Sequence, residues 1–174
     1  MRTETPVSVQ LSDYKPYPFE VEQVDLRFDL DPDATKVRSE LKVRRTGAAG
    51  DALVLDGEGL TLRSISIDGQ ALDASCYEQT DKALIIASVP DAFTLVTEVE
   101  IAPSQNTALS GLYMSGGRFC TQCESTGFRR ITFYPDRPDV MSAFHVWMAA
   151  DKSAYPILLS NGTPGETGDL DDGR

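Results

Sequence analysis

A chain of 174 residues has room for one domain with a real core, and 41% apolar against 25% charged residues is the balance of a folded rather than a disordered protein. Its 27 acids against 16 bases give a net charge of -11, which turns the averaged field against polyanions and excludes nucleic acid as a partner. No apolar run approaches the roughly 20 residues of a spanning helix, and MRTETPVSVQLSDYKPYPFE lacks the apolar stretch of a secretory leader, so a cytoplasmic protein with no membrane partner is expected.

Residues 1–20, closing on Pro16 and Pro18, are polar and non-periodic and are expected to lie as an arm over the surface. Val24, Leu26, Phe28 and Leu30 then alternate with charged residues, the period of a strand with one buried face. DPDATK supplies a turn, and Val37, Leu41 and Val43 alternate on the way back, so the two runs read as a hairpin. Leu60/Leu62 and Ile65/Ile67 keep strand spacing ahead of Asp68-Gly69, a hairpin turn signal. ALIIASVP and FTLVTEVEIAP add two β segments, each stopped by a proline that cannot donate to a ladder.

Beyond PDRPD the sequence predicts a short helical turn near 138–142 with Asp139 as its N-cap. Phe144, Val146 and Met148 alternate with His145 and Trp147 as a further strand, and YPILLSNG reads as one more. Residues 162–174 form a polar tail ending on a turn, which predicts fraying or a truncation point there. With no sustained 3.6-residue period before residue 135, the chain as a whole, 1–174, reads as one all-β domain: a sandwich or saddle of curved, mostly antiparallel sheets.

The chemistry-bearing residues are few. Cys120 and Cys123 form a Cys-x-x-Cys that could supply half a tetrahedral zinc site, completed only by Cys76 and the single histidine, His145. Redox chemistry would need a helix N-terminus to lower a thiol pKa, whereas the flanks look β; the simpler reading is two small, semi-buried loop residues. One histidine, placed on an alternating strand, leaves little for a triad or a two-histidine metal site. Asp136 with Asp139, and the run Asp169, Asp171 and Asp172, read as turn and cap chemistry. Arg129 and Arg130, adjacent on an expected strand, would face opposite ways, with a structural ion pair to a nearby Asp as the plain reading. Glu124, with Gln122 two positions before it and glycines around it, sits where a loop can approach a ligand; spacing alone makes it a solvated loop carboxylate.

TQCE at 121–124 followed by GFRRITFYPDRPDV at 127–140, within a run from Asn106 to Asn161, resembles the N-terminal β domain of the bacterial aminopeptidase N family, zinc-dependent alanyl aminopeptidases of the gluzincin class. YPFEVEQVDLRFDL and DALVLDGEGLTL resemble it too, so the likeness runs over nearly the whole chain. The resemblance implies a saddle-shaped domain that caps one side of an active-site cavity, in which Glu124 binds the free α-ammonium of a peptide substrate and Gln122 helps to line the same subsite. It also implies zinc in the parent enzyme with ligands outside these residues: neither the family's His-Glu-x-x-His nor its Gly-x-Met-Glu-Asn segment occurs here. The 174 residues are therefore expected to hold no catalytic residue and no metal, to be inactive alone, and to meet two partners: peptides with a free N-terminus, and the catalytic domain of the same chain. Two other readings stay open at this stage, a non-catalytic β-sandwich interaction module and a small Cys-x-x-Cys metal or redox protein.

Overall fold

The structure, a computed structural model, describes residues 10–174; the first part of the expected arm, residues 1–9, lies outside the described residues. A 3-10 helix over Leu11–Asp13 and an exposed run lead into β1 (Phe19–Asp29), which turns through residues 30–34 into β2 (Thr35–Arg45). DPDATK makes this turn because the Asp31 carboxylate accepts the backbone N–H of Asp33 at 2.8 Å and of Ala34 at 2.9 Å, while the Thr35 hydroxyl donates to the Asp31 carbonyl at 2.6 Å. There follow β3 (Leu53–Asp56), β4 (Thr61–Ile67), β5 (Gln70–Ala71), β6 (Tyr77–Gln79), β7 (Ala83–Ile86), β8 (Ala92–Ile101), β9 (Gly111–Ser115), β10 (Arg118–Gln122) and β11 (Ala143–Ala149). The domain is all-β, as the periodicity predicts, and none of its helices is long and apolar enough to cross a membrane among the described residues.

Six strands form the main sheet in the order β11-β1-β2-β8-β4-β5. Every pairing in it is antiparallel except that of β1 with β11, which is parallel. The alternation read from the sequence decides which face is inside: Val21, Val24, Val37, Leu41, Leu95 and Val99 are at most 1% exposed. A second sheet, β3-β7-β6, turns Leu53, Leu55, Leu84 and Ile86 into the same core, and β9 with β10 makes a separate two-stranded hairpin. Asp68 and Gly69 close β4 on β5 with left-handed φ values of 49° and 78°, the two positive angles that a two-residue hairpin turn requires.

Three local expectations fail. No helix starts at Asp139: residues 138–139 make a plain turn, because the Asp139 carboxylate accepts the Arg137 guanidinium at 2.7 and 2.8 Å instead of capping backbone N–H groups. The helical turn lies earlier, a 3-10 helix over Phe128–Arg130, where a strand was expected. YPILLSNG joins no sheet: it lacks a strand to pair with among the described residues. The tail is irregular yet tethered: Asp169 pairs with Lys152, and Arg174 with Asp29 and Asp172.

Candidate functional site

The segment Gln122–Gly127 links the end of β10 to the 3-10 helix, and its conformation depends on two glycines. Gly111, opposite Gln122 in the β9/β10 ladder, has φ 77° and lies so close to the helix that a β-carbon there would come 2.6 Å from that of Arg130. Gly127 is buried, its N–H bonded to the Cys123 carbonyl at 2.9 Å, and a β-carbon would meet the Gln122 carbonyl oxygen at 2.5 Å and the Ser110 hydroxyl at 2.9 Å. The peptide between Glu124 and Ser125 is cis.

Two arginines fasten this loop to the end of β3. Arg129 donates to the Asp136 carboxylate from its backbone N–H at 3.2 Å and its Nε at 2.9 Å, and to the Asp136 carbonyl at 3.0 Å. Its guanidinium also lies 3.5 Å from the Asp56 carboxylate, which accepts the backbone N–H of Asp136 at 2.9 Å. Arg130 pairs with Glu58 at 2.6 Å, and the Glu58 N–H donates to the Arg129 carbonyl at 2.9 Å. On the other side Phe128 stands edge-on to Tyr134 and Phe144, ring centroids 5.1 and 5.7 Å apart. The two arginines are thus structural ion pairs, as the plain reading has it, but a 3-10 turn rather than a strand sends them to different acids.

Against that background Glu124 is distinct. Asp56, Glu58 and Asp136 each spend their charge on an arginine, whereas the exposed Glu124 carboxylate has no hydrogen-bond or ion-pair partner among the described residues. The Gln122 side chain, also exposed, reaches back only to the Glu124 carbonyl, at 3.5 Å. The structure therefore holds Gln122 and Glu124 on one short loop, open to solvent, with the carboxylate unspent.

The cysteines do not share in this. All three are free thiols; Cys76 is exposed at the 3-10 turn Ala74–Cys76, and Cys123 is half-buried against the core. Burial, and then the nearby Asp136 charge, push the Cys123 thiol above its usual range, the reverse of what an activated thiolate needs. His145 pairs with Asp25 at 3.0 Å on the outer strand. Among the described residues no three His, Cys, Asp or Glu side chains converge to hold a metal, so the residues present do not fit a zinc ion.

The anchors Asp56 and Glu58 escaped the sequence reading, whereas Gly127 was among the glycines read beside Glu124. Arg130 and Glu58 are 72 positions apart and Asp136 and Asp56 are 80 apart, so no short-range spacing announces them. Asp136 was visible as a loop acid, and its partner was not.

Fold and site together describe an all-β domain that presents a polar loop but carries no assembled catalytic centre among its described residues. Residues 15–174 match the peptidase M1 N-terminal domain, and the chain belongs to that family. It is 58% identical over 174 residues to aminopeptidase N of Caulobacter vibrioides and 43% identical over 172 residues to aminopeptidase N of Escherichia coli. Those alignments take in 100% and 99% of this chain but 20% of each relative, so the chain spans about a fifth of their length. Among solved structures, Legionella pneumophila aminopeptidase A in complex with aspartic acid superposes with a TM-score of 0.87 at 35% identity, over 95% of this chain and 20% of that one. An M1 zinc metallopeptidase from Deinococcus radiodurans shares the fold at a TM-score of 0.66 and 18% identity, over 78% of this chain and 33% of that one.

Proposed function

We propose that this domain is the N-terminal part of a zinc-dependent aminopeptidase that removes N-terminal residues from peptides, and that it contributes the subsite for the substrate's free amine. The observation that carries this reading is the unspent carboxylate of Glu124, beside anchoring acids, Asp56, Glu58 and Asp136, that are each neutralised by arginine. An α-ammonium offers three N–H donors to such a carboxylate, and hydrogen bonds between charged partners are worth about 1.5–3 kcal/mol each. Gln122, two residues earlier on the same loop, supplies an amide oxygen that can accept a second ammonium N–H.

The chain's own residues account for binding and orientation only. Arg129 and Arg130 hold the loop at the end of β3, Gly111 and Gly127 allow its close approach, and Glu124 fixes the amine so that the first peptide bond lies at a set distance from it. Zinc and the groups that act on the peptide bond belong to the remainder of the parent chain. The partner peptides need a free N-terminus, and the second partner is the catalytic domain of the same chain.

Aminoacyl arylamide hydrolysis tests this. The full-length parent should release arylamine and lose that activity to a chelator, while the 174-residue domain, with or without added zinc, should release none. Turnover by the pure domain, or no turnover by the parent on any unblocked substrate, would sink the reading.

A further inference from the structure

We propose that the substrate peptide runs from the amine subsite along the open face of the β9/β10 hairpin, and that Arg118 on this face receives a carboxylate of that peptide. This rests on the amine-subsite reading above and adds a specificity-determining residue to it. In the antiparallel register of β9 with β10, Gln122 lies opposite Gly111, Cys120 opposite Tyr113 and Arg118 opposite Ser115. Side chains alternate across a strand, so Gln122, Cys120 and Arg118 stand on one face together with Tyr113 and Ser115. The fold uses the other face: Leu112 is 5% exposed, and Phe119 packs on the core and against Tyr155, ring centroids 4.8 Å apart.

The open face holds polar groups that the domain leaves unused. Arg118 is exposed, and its guanidinium has no ion-pair, hydrogen-bond or ring partner among the described residues. The other described arginines are each ion-paired, save Arg27, which stands over the Trp147 ring. In a chain with 27 acids against 16 bases, a free guanidinium is the unusual state. The hydroxyl of the half-buried Tyr113, between Arg118 and Gln122 on the same face, also lacks a partner among the described residues.

Glu124 and Arg118 are thus unspent charges of opposite sign, one two residues beyond the end of β10 and the other at its start. A peptide with a free amine and a carboxylate carries the complementary pair, and the planar guanidinium fork matches a carboxylate. Four strand steps of about 3.4 Å separate Arg118 from Gln122, and two more residues reach Glu124, so the span is roughly 14–20 Å. An extended peptide covers that span with roughly four to six residues. The carboxylate is that of the C-terminus of a short peptide or of an acidic side chain at the same distance from the amine.

The test is kcat/KM of the full-length parent, unaltered and as Arg118→Gln, on three alanine-based pentapeptides: one with a free C-terminus, one amidated, and one amidated with aspartate at the fifth position. The unaltered enzyme should prefer at least one carboxylate-bearing peptide over the plain amide by about threefold or more at low salt, the scale of an exposed ion pair. That ratio should shrink as salt is raised and fall to about one in Arg118→Gln. Preference for the free C-terminus assigns the carboxylate to the peptide end, and preference for the aspartate peptide assigns it to a side chain. No preference in the unaltered enzyme, or one that survives in Arg118→Gln, would overturn the proposal. Amine selectivity, read on arylamides with Glu124→Gln, is decided separately: if it holds while the carboxylate preference is absent, the role of Arg118 alone is lost.

Discussion

The α-carbon of Gly127 faces the carbonyl of Gln122 with no space between them, so that a β-carbon would stand 2.5 Å from that oxygen. Real β-carbons do not come so near backbone, and the loop would have to shift for any other residue. Gly127→Ala is therefore expected to destabilise the domain by about 1–3 kcal/mol, the usual cost of forcing atoms into a filled space. Gly165→Ala, where nothing lies within 4 Å, is the control and should stay within about 0.5 kcal/mol. Denaturant unfolding of both variants compares them directly; equal midpoints would show that the loop yields freely.

Arg129 joins two acids that would otherwise face each other, Asp136 with its side chain 11% exposed and Asp56 at 32%. Removing it leaves partly buried like charges without a cation, and Arg129→Ala should cost about 2–4 kcal/mol. Arg129→Lys keeps the charge but loses the planar fork that serves carboxylate and carbonyl together, so it should recover less than half of that loss. Thermal unfolding of the two variants beside the parent checks the order; full recovery by lysine would reduce the anchor to simple charge balance.

Tyr17 gives the domain an alkaline limit. Burial first, and then the Asp56 charge, raise its phenol above the ordinary value of 10, while the hydroxyl donates to the Val54 carbonyl at 2.7 Å. A raised folded pKa means that the stabilisation is complete below pH 10 and is lost as pH climbs above it, because the unfolded chain gives up the proton first. Stability should therefore fall from about pH 10 upward, by as much as about 1.4 kcal/mol per pH unit from this group. Tyr17→Phe should cost about 1 kcal/mol at pH 7 from the lost hydrogen bond, and it should show a shallower alkaline slope. An unchanged slope would move the alkaline limit elsewhere, for instance to Tyr134, whose phenol burial also raises.

The parts of this fold legible in the sequence are those fixed by neighbours in the chain. The β1/β2 hairpin follows from strict alternation on both sides of DPDATK, and the Asp68-Gly69 turn from a residue pair that tolerates positive φ. What was misread depends on distant partners. Ile157–Leu159 has the composition of a strand, but a strand exists only where something pairs with it. Asp139 has the chemistry of an N-cap, but Arg137 takes its carboxylate and Tyr14 donates to it at 3.0 Å. The parallel docking of β11 on β1 joins residues some 120 positions apart and leaves no local mark. Glu124 was legible as a residue through its resemblance to the family; its lack of a charge partner became visible only once the arginines beside it had been traced to Asp56, Glu58 and Asp136.

The central claim is that Glu124 meets a substrate amine, and the most direct measurement is the kcat/KM of the full-length parent on matched arylamides with and without the α-amine, for the unaltered enzyme and for Glu124→Gln. Glutamine keeps the size and removes the charge. The account predicts a loss of about 10- to 150-fold on the amine-bearing substrate, the equivalent of about 1.5–3 kcal/mol, and little change on the substrate that lacks the amine. Equal losses on both substrates, or none on either, would contradict it.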